Sequence, residues 1–124
     1  MNFGELQGLV LKWADDKDLL HSKNAEKQFM KFIEEVFEFK TEFDNWAFLR
    51  EMCGFVTDEE LMYMGSKRLT VYSKLEMGDI FVTLIILCNQ IGIDPVECLS
   101  MAYEKISKRT GKTINGQFIK SEDL

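Results

Sequence analysis

A chain of 124 residues, 46% hydrophobic and 29% charged, has room for one core and the composition of an ordinary globular domain. It holds no apolar run near the roughly 18–20 residues that span a bilayer, and its net charge of −6 argues against a surface that holds nucleic-acid polymers broadly. Three cysteines, odd in number and without a C-x-x-C pair, read as thiols of a reducing cytosol, so a cytoplasmic protein is expected.

The start, MNFGELQGLVLKWADD, lacks the basic segment and small-residue cleavage site of a signal peptide. Leu6, Leu9, Val10 and Trp13 recur at helical spacing and predict a first helix over about Gly4–Ala14. After the polar break Asp15–Asp18, Asn24 is a candidate N-cap for a long second helix reaching about Phe48. Phe29, Phe32, Ile33, Val36, Phe39, Phe43 and Trp46 mark its expected core stripe. The connector Cys53–Lys67 carries a capping box, Thr57-x-x-Glu60, with Gly65 as a stop, and so predicts a short extra helix.

A third helix is expected from about Thr70 to Ile91, ending at Gly92. Asp94-Pro95-x-Glu97 then supplies an N-cap, a proline in the first turn and an acid three residues on, opening a fourth helix to about Arg109. In the tail, Asn115-Gly116 between short alternating runs predicts a small β-hairpin. The fold class is therefore all-α, a four-helix bundle with a short extra helix in the connector and a small C-terminal hairpin or tail. No repeat or second domain is evident, so residues 1–124 are taken as a single domain.

Two stretches set acids among apolar side chains, EEVFE at 34–38 and EMGD at 76–79. On the second helix Glu35, Glu38 and Glu42 share a flank with Lys31, and an i,i+4 pair between Lys31 and Glu35 on a solvated face is the plain account. On the third helix Ile80, Phe81, Val82, Leu84, Ile85 and Leu87 cover most of the circumference, as in a buried helix. Glu76, Asp79, Thr83 and Gln90 nevertheless fall in one polar strip about 60° wide. Unpartnered carboxylates facing a core are expensive, and too few basic residues stand at matching positions to pair them. A shared metal answers the problem, since Glu35/Glu38 and Glu76/Asp79 are both i,i+3 pairs that offer two carboxylates from one helix face. An all-oxygen set selects a hard cation, Mg²⁺ with Mn²⁺ as substitute. A di-iron bundle would want Glu-x-x-His motifs, and the only histidine, His21, precedes the second helix.

Carboxylate-held Mg²⁺ usually accompanies phosphate chemistry. Cations for further phosphates cluster at Lys105, Lys108, Arg109 and Lys112, although lysines there also complement the helix C-terminal dipole. Trp13, His21, Trp46 and Tyr72 are candidates for contact with a nucleotide base, each with an ordinary core or surface role as the alternative.

E-E-x-x-E (Glu34, Glu35, Glu38) followed by E-x-x-D (Glu76, Asp79) resembles the signature of MazG-like all-α nucleoside triphosphate pyrophosphohydrolases. Q-x-x-K-x-x-E-E from Gln28 to Glu35, and LEMGDIFVTL from Leu75 to Leu84, agree with it. The ending AYEKISKRTGKTINGQFIKSEDL is similar to small stand-alone members, including those of bacteriophages. The resemblance covers the second to fourth helices and the tail, and the first helix more loosely. It implies hydrolysis of an NTP or dNTP between the α and β phosphates, giving a monophosphate and pyrophosphate. By position, Glu35, Glu38, Glu76 and Asp79 would hold Mg²⁺, and Glu34 would orient the attacking water or support the ligands. Lys31, Lys105 and Arg109 would hold phosphate oxygens. The base pocket would draw on the first helix and Leu19–Asn24, and the protein would be a homodimer or homotetramer. The stretch 39–75 between the motifs is longer than is usual in the family, which leaves its role open.

Two other classes fit the same residues. One is an enzyme similar to phosphoribosyl-ATP pyrophosphohydrolase. The other is a non-catalytic helical adaptor whose acids bind a structural cation. The base and sugar of the substrate are not legible.

Overall fold

The structure, a computed structural model, describes residues 1–52, 59 and 71–124, and of 45–52, 71 and 72 the backbone alone. The chain is mostly helical and divides into two compact units, Met1–Gly92 and Ile93–Leu124. The short helix expected in the connector lies outside the described residues apart from Glu59, as do its Thr57 and Gly65.

In the first unit, α1 (Phe3–Asp16) begins one residue earlier than the apolar pattern suggests. Asn2 is the reason: its Oδ1 accepts the Glu5 backbone N–H at 2.8 Å, and its Nδ2 donates to Glu5 Oε1 at 3.1 Å. This reciprocal cap satisfies a helix-end donor. The second helix starts at Ala25, directly after Asn24, the position expected for its N-cap. Residues Ser22–Asn24 form a 3₁₀ turn leading into it, with Asn24 N–H donating to the His21 carbonyl at 3.0 Å. Helix α2 (Ala25–Met52) follows directly and runs past Phe48.

Helix α3 (Val71–Gln90) is the centre of this unit, packing against α1, α2 and the 3₁₀ turn. Ile85, Ile86, Leu87 and Cys88 are buried on it, and Ala14 of α1 is fully buried. Two side-chain ties fix the direction of packing. Gln28 Nε2 donates to the Thr83 carbonyl at 3.3 Å, and Gln90 Nε2 donates to the Leu19 carbonyl at 2.7 Å. As one strand of chain advances from Leu19 to Gln28, its partner retreats from Gln90 to Thr83, so α2 and α3 run antiparallel.

The expected burial of both helices is corrected in part. On α3, Phe81 and Leu75 are 48% and 59% exposed, so the helix is not covered all round. On α2, Phe29, Val36 and Phe43 of the expected core stripe are exposed. Helical periodicity gathers apolar residues on a face, but a face is buried only where a second element lies over it.

In the second unit, α4 (Pro95–Ser107) opens as expected, with Asp94 Oδ1 accepting the Val96 N–H at 3.1 Å and Pro95 in the first turn. It ends two residues short of Arg109, and none of its residues is buried. The predicted hairpin is present, with β1 (Gly111–Ile114) antiparallel to β2 (Gln117–Lys120). Asn115 and Gly116 form its turn at φ of 52° and 78°, the left-handed pair that matches the twist of two strands. Gly111 pairs with Lys120 so closely that a Cβ there would stand 2.1 Å from the Ile119 carbonyl oxygen. Only glycine fits at that position.

Candidate metal and phosphate site

The acids of α2 gather around one lysine. Lys31 Nζ lies 3.1 Å from Glu35 Oε1 and 3.3 Å from Glu34 Oε2, the i,i+4 and i,i+3 partners that helix geometry brings to one strip. Glu35 is 7% exposed whereas Glu34 and Lys31 stand in solvent, so the lysine reaches from the surface to a buried carboxylate. Hydrogen bonds to Glu35 and then Glu34 hold the Lys31 ammonium above its ordinary pKa. Glu38, one turn on and exposed, has its carboxyl raised above the ordinary range, first by the charge of Glu35 and then by a hydrogen bond with it. Like charges one turn apart resist joint ionisation.

The acids of α3 stand differently. Glu76 is partly buried, and its Oε2 has no hydrogen-bond partner among the described residues. One turn earlier Ser73, 2% exposed, leaves its Oγ unpartnered too. Thr83, also buried, donates its hydroxyl to the Ile80 carbonyl at 2.8 Å, and Gln90 makes the tie to Leu19. Four of the five residues of this polar strip thus face inward, and Asp79 is exposed.

The antiparallel tie relates the two sets. Glu35 lies one heptad beyond Gln28, and Glu76 lies one heptad before Thr83. From the Gln28–Thr83 bond both carboxylates are displaced by about 10.5 Å in the same direction. Glu35 and Glu76 are therefore at one level of the α2–α3 packing, the first with a lysine and the second with an unmet oxygen. In this arrangement no group of three or more His, Cys, Asp or Glu side chains among the described residues is placed to hold a metal ion. The donor chemistry nonetheless suits a hard cation, since an unpartnered buried carboxylate oxygen calls for one.

The remaining expected site residues are spread out. Lys105 and Arg109 belong to the second unit, where Lys105 is in the last turn of α4 and Arg109 follows the helix end. Trp13 is 51% exposed, and His21 bonds Asp18 at 2.5 Å. No ring contact joins Trp13 to His21 among the described residues, and the side chains of Trp46 and Tyr72 lie outside them. Sequence reasoning missed Ser73. Its signal was the i,i+3 spacing to Glu76, which places it on the same strip.

No single helix among the described residues is long and apolar enough to cross a membrane. No protein-family model matches the chain, nor does any curated protein or solved structure.

Proposed function

We propose that the chain is a Mg²⁺-dependent nucleoside triphosphate pyrophosphohydrolase that converts an NTP or dNTP to the monophosphate and pyrophosphate. The observation that carries this reading is the orphaned Oε2 of Glu76, buried at the level of the buried Glu35 on the facing helix. A carboxylate oxygen without a donor in such a place wants a cation, and the chain supplies three further acids at matching spacing. Glu35, Glu38, Glu76 and Asp79 would hold the ion. When bound, it would neutralise phosphate charge and lower the pKa of an attacking water.

The other residues take roles from their own chemistry. Lys31 holds Glu35 and Glu34 and would offer its one remaining N–H donor to a phosphate oxygen. Glu34, exposed and paired with Lys31, would orient the attacking water or support the ligands. Arg109, which forms no ion pair among the described residues, is suited to grip phosphate oxygens in two parallel bonds. Trp13, His21 and Trp46 are the residues proposed for the base.

Two further features belong to the reading. The exposed apolar side chains of α2 and α4, among them Phe37, Leu99 and Tyr103 at 66%, 71% and 66%, are proposed to be covered in a homodimer or homotetramer. A cytoplasmic location is proposed from the odd number of cysteines, three, with no C-x-x-C pair.

The test is a panel of nucleotides assayed with Mg²⁺ and with EDTA. Monophosphate and pyrophosphate as first products, present with Mg²⁺ alone, are expected. Diphosphate and orthophosphate as first products, or no turnover of any nucleotide, would overturn the assignment. Light scattering should return a mass of at least twice 14.5 kDa.

A further inference from the structure

The second unit carries no net charge, with five acids and five bases in residues 93–124, so the whole −6 resides in residues 1–92. Its charges are nevertheless segregated. From Lys105 to Lys120 there are five cations and no acid. The hairpin register folds this basic stretch back on itself. Gly111 pairs with Lys120, and the ladder extends by one step as Ser121 N–H donates to the Thr110 carbonyl at 2.8 Å. Residues 108–110 are thereby returned beside residues 120–122.

Between them lies a cleft of about 330 Å³, lined by Lys108, Arg109, Thr110, Lys120, Ser121 and Glu122. Three cations face one carboxylate there, a net charge of +2 around the opening. The single acid competes weakly: Glu122 is 4.0 Å from Lys120 and largely in solvent. Among the described residues Lys108 is held only by Glu104 at 3.5 Å, again in solvent, and Arg109, half-buried, has no ion pair. Ser121 Oγ bonds Thr110 Oγ1 at 2.9 Å. Whichever hydroxyl donates in that bond, the other keeps its own proton for a further acceptor.

We infer that this cleft is an oxyanion site for a phosphate group, held by Arg109, Lys108 and Lys120 and by one proton of the Thr110–Ser121 hydroxyl pair. The ordinary account of basic residues at a helix end is complementation of the helix dipole. That account covers Lys105 and Lys108 but not Lys120, which comes from β2 and is delivered by register. The partial negative charge of the α4 C-terminus opposes an anion, so a phosphate there depends on all three cations. The inference concerns the second unit by itself; it shares Arg109 with the proposed hydrolase but requires neither the metal nor hydrolysis. Free phosphate and the phosphates of a nucleotide share the required chemistry.

The experiment is a titration of the full-length protein in EDTA, at constant ionic strength, followed by the backbone amide resonances of Thr110, Gly111 and Ser121. Inorganic phosphate, pyrophosphate and a nucleoside triphosphate are added in separate arms, with chloride as control. Saturable shifts of these amides are expected with at least one phosphate compound and not with chloride. Lys120→Gln should weaken that binding about tenfold, and Ser121→Ala less, with α4 and hairpin resonances otherwise unchanged. Tightest binding of the triphosphate would name a nucleotide as the source, and equal binding of free phosphate would name the bare anion. Shifts no larger than those with chloride, or affinity unchanged in Lys120→Gln, would overturn the inference. Because EDTA excludes turnover, failure here leaves the hydrolase reading standing, and failure of the nucleotide assay leaves this one standing.

Discussion

Glu35 and Glu76 sit at one level of two facing helices and meet burial in opposite ways. Glu35 is served by its own helix, since Lys31 stands one turn away and bridges 3.1 Å to it. Glu76 has no such lysine: among the described residues its Oε2 is without any partner, and Ser73 beside it is in the same state. A carboxylate neutralised from within its helix is accounted for by structure alone. One left unmet inside a packed helix pair is a candidate for an external partner, and that contrast is the reason for placing a cation at this level.

Activity should separate the acids most widely. Glu76→Gln and Asp79→Asn are each expected to lower kcat/KM for Mg²⁺-dependent hydrolysis by about 100- to 1000-fold, roughly 2.7–4 kcal/mol. Glu35→Gln should fall in the same range. Glu42→Gln, on the same flank of α2 but outside the proposed ligand set, should leave the rate within about twofold. Steady-state kinetics on this series would erase the contrast if Glu42→Gln and Glu76→Gln behaved alike.

A stability effect should mark the difference next. Lys31→Met removes the partner of a buried carboxylate and is expected to cost about 1–2 kcal/mol. That is below the roughly 3–5 kcal/mol of fully buried pairs, because the lysine is half exposed. Urea unfolding of the metal-free protein measures it. The sign with pH follows from the raised ammonium pKa: the contribution is complete below the ordinary value of 10.5 and is lost as pH rises through the folded one.

The smallest effect concerns Glu38. Its carboxyl is raised above the ordinary value of 4.5, chiefly by Glu35, so folding favours its protonated form. The repulsion is absent well below pH 4.5 and develops as pH rises through the folded value. Metal-free Glu38→Gln should therefore melt slightly above wild type at neutral pH and show no such gain near pH 3. An equal gain at both values would detach the effect from ionisation.

Local features were the legible ones. The Asp94-Pro95 helix start, the Asn115-Gly116 turn and the Lys31–Glu35 pair each depend on residues within four positions, so spacing alone specifies them. The 3₁₀ turn Ser22–Asn24 ahead of α2, which packs against α2 and α3, had no sign in the spacing of its residues. The exposed Phe29 and Phe81 show the same limit, since a periodic face does not name its cover. At the site, the sequence placed the acids on two helices, but the orphaned Ser73 and Glu76 oxygens depend on the antiparallel fit. The cleft at Lys120 depends on hairpin register, which brings together residues eleven positions apart.

Melting curves of wild type and Glu76→Gln, each with and without Mg²⁺, test the central claim most directly and need no substrate. If Glu76 is left unmet for a cation, Mg²⁺ should raise the melting temperature of wild type by an amount set by its concentration over Kd. The same addition should move Glu76→Gln little, while the metal-free variant melts at or above metal-free wild type because a buried charge without a partner has been removed. An equal Mg²⁺ shift in both proteins, no shift in either, or a metal-free Glu76→Gln that melts well below wild type would contradict the account.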